Sequence, residues 1–281
     1  MIRNLLYNAW PALHTKEWKL NLGRLARHAA AFNGKKIVLL KRGGPSNVAT
    51  AGPEAVRAAL SALGSVEIIE YENDPELGEV VGFVEALEQR LLSYDSNEAT
   101  FYAHTKGVSY AEETELRHLA AIRRWRNTMY DECLGNIPRV ESALMDHVAT
   151  GCYLRNPAAV KFGGKGQLPR GLDSIGWHFA GTFFWFKHSS FFGHPKWRDV
   201  GQHRFGVEGH LGTLFRMRDA YCLYGEKEQD NLYTLVGRFR CTGCGHEHDK
   251  RMKMREEPVK VCPRCFKRKA EWVMFPDAPE E

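Results

Sequence analysis

The stretch that decides the fold is residues 98–110, EATFYAHTKGVSY. Its first half, ATFYA, is small and aromatic with no charge, as a strand buried on both faces should be. It runs directly into His104, Thr105, Lys106 and Gly107. A strand that ends in an imidazole, a hydroxyl and an ammonium matches the carboxyl end of an open α/β sheet, where such sheets hold their ligands.

Working outward, the preceding hundred residues alternate between strand and helix signals. IRNLLYNAW (2–10) reads as a first strand. Thr15 then stands where a helix cap belongs, followed by Trp18, Leu22, Leu25, Ala26, Ala29 and Phe32 at helical spacing. Asn33-Gly34 ends that helix, and KKIVLLKRG (35–43) is the next strand. Val56, Ala59, Leu60 and Leu63 mark a second helix, VEIIEY (66–71) a third strand, and Leu77, Val80, Val81, Val84, Leu87 and Leu91 a third helix. Strands and helices in alternation with short connections imply right-handed βαβ units and a mostly parallel sheet covered by helices. Neither Gly-x-Gly-x-x-Gly after the first strand nor a Gly-Lys-Ser/Thr phosphate loop is present. Nicotinamide dehydrogenases and P-loop enzymes are disfavoured accordingly.

Beyond the fourth strand, one long helix is expected over 112–134, with Leu116, Leu119, Ile122, Met129, Tyr130 and Cys133 inward, and a second around 138–147. Residues 155–175 are rich in Gly, Pro and Lys and read as a loop, either a lid bearing Arg155, Lys161, Lys165 and Arg170 or a connection without function. The aromatic segment WHFAGTFFWFKHSSFF (177–192) follows; strict alternation places Phe179, Phe183 and Trp185 on one face and Phe184 and Phe186 on the other. RFGVEGHLGTLF (204–215) looks like a turn opening a helix. From about residue 226 the composition shifts, giving an α/β domain over 1–225 and a small module over 226–281.

The chain has 281 residues, a net charge of +5 and 43% hydrophobic residues, ordinary values for a globular protein. It contains no apolar run of membrane-spanning length and no signal-peptide pattern at the start, so a cytoplasmic protein is expected. Seven cysteines are present. Cys133, Cys152 and Cys222 are scattered singly, as thiols in a reducing compartment would be. Cys241-x-x-Cys244 and Cys262-x-x-Cys265 form two knuckles separated by seventeen residues, the spacing of a tetrahedral four-cysteine structural zinc site in a zinc ribbon. His246 or His248 in place of one cysteine is the rival ligand set. Residues 238–269 hold eleven Lys/Arg against four Asp/Glu, with Phe239 and Phe266 among them. That composition fits either a nucleic-acid contact surface or a solvated basic face on a docking module.

FYAHTKG, the Trp-Arg-Asn-x-Met-Tyr helix segment (125–130) and WHFAGTFFWFKH, in that order, resemble a group of little-characterised bacterial and viral glycosyltransferase-like proteins of GT-A type. The resemblance covers roughly residues 1–225 and leaves the cysteine module outside. It implies a GT-A-like sheet domain, a nucleotide-sugar donor and a glycan, lipid or protein acceptor. It implies that His104, Thr105, Lys106 and Gly107 meet the donor diphosphate, and that Asp74, beside Asn8, Trp10 and Asn73, holds base or ribose. Asn73-Asp74-Pro75 is equally a turn signal. Glu208 is implied as the base that takes the acceptor proton, with Asp173, Asp199 and Glu132 as alternative acids; its bland role is to open a helix.

Trp177 and His178 could stack on and hydrogen-bond a sugar, and Gly181 could let substrate approach backbone. The chain departs from the GT-A pattern in one respect. Where most such enzymes carry Asp-x-Asp for a divalent ion, this chain has His104-Thr105-Lys106. The implied transfer therefore proceeds without a catalytic divalent metal. The competing reading is a non-catalytic binding protein that contacts nucleic acid or a protein partner through the ribbon.

Overall fold

The computed structural model describes residues 1–44, 48–108, 116–155, 176–225, 234–241, 243–253, 264–265 and 270–273. These fall into two compact units, one over 1–111 and 126–226, the other over 112–125 and 227–281. No described helix is long and apolar enough to cross a membrane.

The first unit is an α/β layer structure around a seven-stranded, mostly parallel sheet, and its helices include α2 (Pro53–Ala59), α5 (Ile137–Asp146) and α6 (His188–Gly193). Strands β1 (Ile2–Ala9), β2 (Lys36–Arg42), β3 (Glu67–Glu72) and β4 (Glu98–His104) lie in the order β3-β2-β1-β4 and pair in parallel. The middle of β1, β2 and β4 is buried without interruption, as expected for inner parallel strands covered on both faces. β3 is the edge strand and exposes Glu67, Glu70 and Glu72. Beyond β4 the sheet continues with β8 (Phe184–Lys187), β5 (Ala149–Cys152) and β9 (Ala220–Tyr224). β8 runs antiparallel to both neighbours, while β5 and β9 are parallel.

Two aromatic cores cover the two faces. On one, Phe32, Phe101 and Trp185 pack at centroid distances of 5.3–6.1 Å, beside Tyr130 and Phe183. Tyr130 belongs to α4 (Leu116–Leu134), whose last turns are tied to the sheet by a Tyr7–Tyr130 hydroxyl bond and by Trp185 Nε1 donating to the Cys133 carbonyl. On the other face Leu6, Leu39, Tyr102, Phe184 and Phe186 meet Phe83, Phe191, Trp197 and Leu211. Burying each such side chain contributes roughly 1.5–3 kcal/mol.

Three expectations are revised here. α1 (Glu17–Arg27) starts with Lys16 at the backbone cap position; the Thr15 hydroxyl accepts the Glu17 N–H instead, one residue upstream. The third helix is not continuous. It is a 3-10 turn at Gly78–Val80, a left-handed Gly82 with φ of 77°, α3 (Phe83–Ala86) and a π turn at Leu87–Leu91. A Cβ at Gly82 would lie 2.5 Å from the Tyr71 ring, so the break is required where the chain crosses that ring.

The aromatic segment is two short strands rather than one. β7 (His178–Phe179) pairs with β6 (Leu154–Arg155), and left-handed residues at Gly181 (φ 92°) and Thr182 (φ 62°) precede β8. That turn resets the alternation: Phe179 joins Phe184 and Phe186 in one core, and Phe183 joins Trp185 in the other.

The second unit carries a three-stranded antiparallel sheet, β11 (Glu247–Lys253), β10 (Thr234–Cys241) and β12 (Ala270–Val273), with β10 central. Residues 156–175, most of the loop read as either a lid or a plain connection, lie outside the described residues.

Candidate active site

Parallel register brings the carboxyl ends of β1, β2 and β4 to one rim: Asn8 stands opposite His104, and Ala9 opposite Leu40. A cleft of about 300 Å³ opens there. β1 and the residue beyond its end supply Asn8 and Trp10, β2 supplies Lys41, and β4 with the turn after it supplies His104, Thr105, Lys106 and Gly107. Glu79 enters from the 3-10 turn, Thr182 from the turn before β8, Arg204 from the segment leading into α7 (Gly206–Leu214), and Glu208 from its first turn.

The turn after β4 is built residue by residue. The Thr105 N–H donates to the Asn8 carbonyl at 3.0 Å, and its hydroxyl accepts the Trp10 N–H at 3.0 Å, so Thr105 stitches two strand ends together. Gly107, with φ of 89°, turns the chain away. Between them Lys106 is gripped by the Asn21 amide, which accepts its N–H at 3.0 Å and donates to its carbonyl at 2.9 Å. Asn21 is fully buried on α1, a polar residue within the Trp18–Leu22–Leu25 stripe. The Lys106 ammonium is pushed below its ordinary pKa by burial, while Glu208 and Glu79 pull it back.

His104 is held from two sides. Nε2 lies 3.1 Å from the Gly181 carbonyl and Nδ1 lies 3.2 Å from Glu79 Oε1, so both ring nitrogens are engaged. Burial and the neighbouring Lys106 push its pKa down to about 3. Gly181 also donates its N–H to Glu208 Oε1 at 3.0 Å. Glu208 therefore sits in the first turn of α7, its carboxylate held at the cleft by the turn before β8.

Other expected residues fall elsewhere. Asp74 Oδ1 accepts the N–H groups of Glu76 and Leu77, a turn-forming role, while its neighbours Asn73 and Pro75 line the cleft. Trp177 is 2% exposed, donates Nε1–H to the Phe215 carbonyl and packs edge-on against Phe179. It is core, with no ring face open to a sugar. His178 is buried near Glu208; burial lowers its pKa and Glu208 partly restores it. Among the alternative acids, Glu132 pairs with Arg139 at 3.4 Å, and Asp173 is outside the described residues.

Sequence reasoning missed Lys41 and Glu79. Lys41 is 2% exposed, donates to the Val81 carbonyl, lies 4.9 Å from the Tyr71 ring centroid, and has its pKa lowered to about 8 by burial. The only signal was an ammonium at the end of an otherwise apolar strand. Glu79 was hidden inside what looked like an unbroken helix.

In the second unit the Sγ atoms of Cys241, Cys244 and Cys265 lie within 4.8 Å of one another, with Cys241 and Cys265 at 3.5 Å. The first knuckle is closed by Gly245 N–H donating to the Cys241 carbonyl, at a left-handed φ of 69°. Three converging thiols are a donor set that could hold a metal ion. Cys262 lies outside the described residues, and no histidine belongs to the described cluster.

No family model matches the chain, and no curated protein matches it. Among solved structures, the crystal structure of a 4-diphosphocytidyl-2C-methyl-D-erythritol synthase aligns with a TM-score of 0.41 at 10% identity. That alignment covers 81% of this chain and 91% of the other.

Proposed function

We propose that the chain is a GT-A-like glycosyltransferase that moves a sugar from a nucleotide-diphosphate donor to an acceptor hydroxyl without a catalytic divalent ion. The observation that carries this reading is the Lys106 ammonium, held at the sheet's carboxyl rim under the pull of Glu208 and Glu79. An ammonium there can neutralise a departing diphosphate as a metal ion would. Lys41 and Arg204 line the same cleft and add positive charge. Trp10, Asn8 and Asn73 offer an aromatic face and amide groups to a nucleoside. His178 stands near Glu208, where an acceptor or sugar hydroxyl would lie.

In the reaction, Glu208 takes the acceptor proton as the acceptor oxygen bonds to the anomeric carbon. The anomeric C–O bond to the diphosphate breaks, and the leaving diphosphate keeps the electron pair beside Lys106. A glycan, lipid or protein can supply the hydroxyl. In the second unit, Cys262 completes a four-cysteine set with Cys241, Cys244 and Cys265, and a zinc ion there would be structural. Cys133, Cys152 and Cys222, scattered singly in the sequence, fit a cytoplasmic, reducing setting.

Calorimetric titration with UDP, GDP, UDP-glucose and GDP-mannose, with and without manganese, tests the reading. Binding that persists without manganese and disappears in Lys106→Ala is expected. Absence of binding to any of the four would overturn the donor assignment. It would favour the alternative, a binding protein whose basic ribbon contacts nucleic acid or a protein partner.

A further inference from the structure

Glu79 lies at the crossing of the site's polar contacts. Its Oε1 is 3.2 Å from His104 Nδ1, and its Oε2 accepts the Tyr102 hydroxyl at 3.2 Å. The other His104 nitrogen, Nε2, is 3.1 Å from the Gly181 carbonyl. A carbonyl oxygen only accepts, so Nε2 must carry a hydrogen. A second proton is then needed between Nδ1 and Oε1, since a bare lone pair on each would repel. It sits on the carboxyl, giving two neutral partners, or on the ring, giving a buried imidazolium–carboxylate pair.

We infer that Glu79 is a positioning residue of this site: its carboxyl, protonated on Oε1, donates to His104 Nδ1 and fixes the imidazole as the Nε2–H tautomer. His104 then clamps the Gly181 carbonyl, and the Gly181 N–H holds Glu208 Oε1. A proton on Glu79 thus sets the direction of the Glu208 carboxylate three hydrogen bonds away.

The surroundings favour the neutral pair. Tyr102 and His104 face Glu79 from β4, Lys41 faces it from β2, Lys106 from the turn after β4, and Glu208 from α7. Burial and Glu208 push the Glu79 carboxyl up to about 8 despite the opposing pull of Lys106, Tyr102 and Lys41. Moving the proton to the ring would add two opposite charges, an imidazolium and a carboxylate, to a buried cluster, and desolvating both is costly. A neutral Glu79 also does not compete with an incoming anion for Lys41 and Lys106. The consequence for turnover rests on the transferase reading; the proton's position does not.

The test is long-range proton–nitrogen correlation of the histidine rings in the full, nitrogen-15-labelled chain, with His104 assigned by its loss in His104→Asn. In the wild type His104 should appear as the Nε2–H tautomer and stay unchanged across the range where an ordinary histidine titrates. Glu79→Gln, whose amide can donate to Nδ1, should keep that tautomer. Glu79→Ala should release it to a tautomer mixture that titrates. A wild-type imidazolium at neutral pH, an Nδ1–H tautomer, or a ring unaffected by Glu79→Ala would each overturn the inference.

Should Glu79→Ala fail to fold, the wild type and Glu79→Gln still decide it. Where a transferase assay is in hand, Glu79→Ala should lower kcat at least about tenfold with KM nearly unchanged, and Glu79→Gln should restore it. Loss of all nucleotide binding in the wild type would sink the donor assignment while leaving the tautomer result intact.

Discussion

Asn21 and Lys106 form a reciprocal pair: the Asn21 side-chain amide accepts the Lys106 N–H at 3.0 Å and donates to the Lys106 carbonyl at 2.9 Å. One amide thereby replaces the two backbone partners that Lys106 lost when β4 ended. The orientation of the proposed diphosphate ligand is set from a helix, not from its own strand. Asn21→Leu keeps the volume and removes both of these bonds from the part-buried Lys106 backbone. We expect a loss of about 2–4 kcal/mol in chemical unfolding, together with weaker UDP binding by calorimetry. Unchanged affinity in a folded Asn21→Leu would show that Lys106 is oriented by something else.

Two groups in the cleft make stability depend on pH in opposite directions. Glu79 is raised from 4.5 to about 8, so between those values the folded state binds more protons than the unfolded chain and stability falls as pH rises. Lys41 is lowered from 10.5 to about 8, so above pH 8 the unfolded chain binds more protons and stability recovers as pH rises toward 10.5. Their joint contribution is least near pH 8. Differential scanning calorimetry should show Tm declining from about pH 5 to 8, and Glu79→Gln should flatten that decline. A Tm profile identical in wild type and Glu79→Gln would contradict the raised carboxyl.

The same lysine predicts a binding profile. In the proposed donor site Lys41 would attract an anion only while protonated, so UDP affinity should fall as pH rises through about 8. In Lys41→Met that fall should be weaker, and affinity at about pH 7 should already be lower by about tenfold, the loss of one charge-assisted contact. Calorimetry on both proteins, one unit below that pKa and one unit above it, is sufficient.

Gly82→Ala forces a side chain onto a left-handed backbone and into the Tyr71 ring. The cost should be at least about 1 kcal/mol, measured as a shift in the urea midpoint. Adding Tyr71→Ala should recover the steric part and leave the backbone part. Full recovery would mean that the left-handed conformation is not obligatory.

For the cysteine cluster, native mass spectrometry of the full chain is expected to show a single bound zinc, lost in Cys241→Ala and in Cys262→Ala. Removing the metal with a chelator should unfold the 234–273 sheet, read as loss of amide protection there, while the first unit keeps its Tm.

The parallel core was legible because inner strands of an α/β sheet are apolar throughout, and IRNLLYNA, KIVLLKR and EATFYAH each show it. The cluster at the end of β4 was legible because its polar residues are contiguous. Glu79 was not, since Leu77, Val80, Val84, Leu87 and Leu91 keep helical spacing across a segment that changes winding twice. Periodicity reports which side of a segment is buried, not whether its hydrogen bonds are continuous. The aromatic segment misled for a related reason: two successive left-handed residues at 181 and 182 shift the alternation by one, and only Gly181 hints at it. His104 reads from sequence as a group facing the diphosphate because its type is visible, whereas its partners, 25 and 77 residues away, are not.

The reversed direction of β8 decides which end of the molecule receives the Gly181–Thr182 turn. Because β8 is antiparallel to β4, pairing Tyr102 with Phe184 and Ala99 with Lys187, its start lies where β4 finishes. Running the other way, the strand would set that turn at the opposite end of the paired strands, roughly 10 Å away at about 3.3 Å per residue. Glu208 would then lose its anchor and His104 its acceptor. The polarity of one four-residue strand thus works as an address, delivering a distant part of the chain to the rim where the other strand ends already meet.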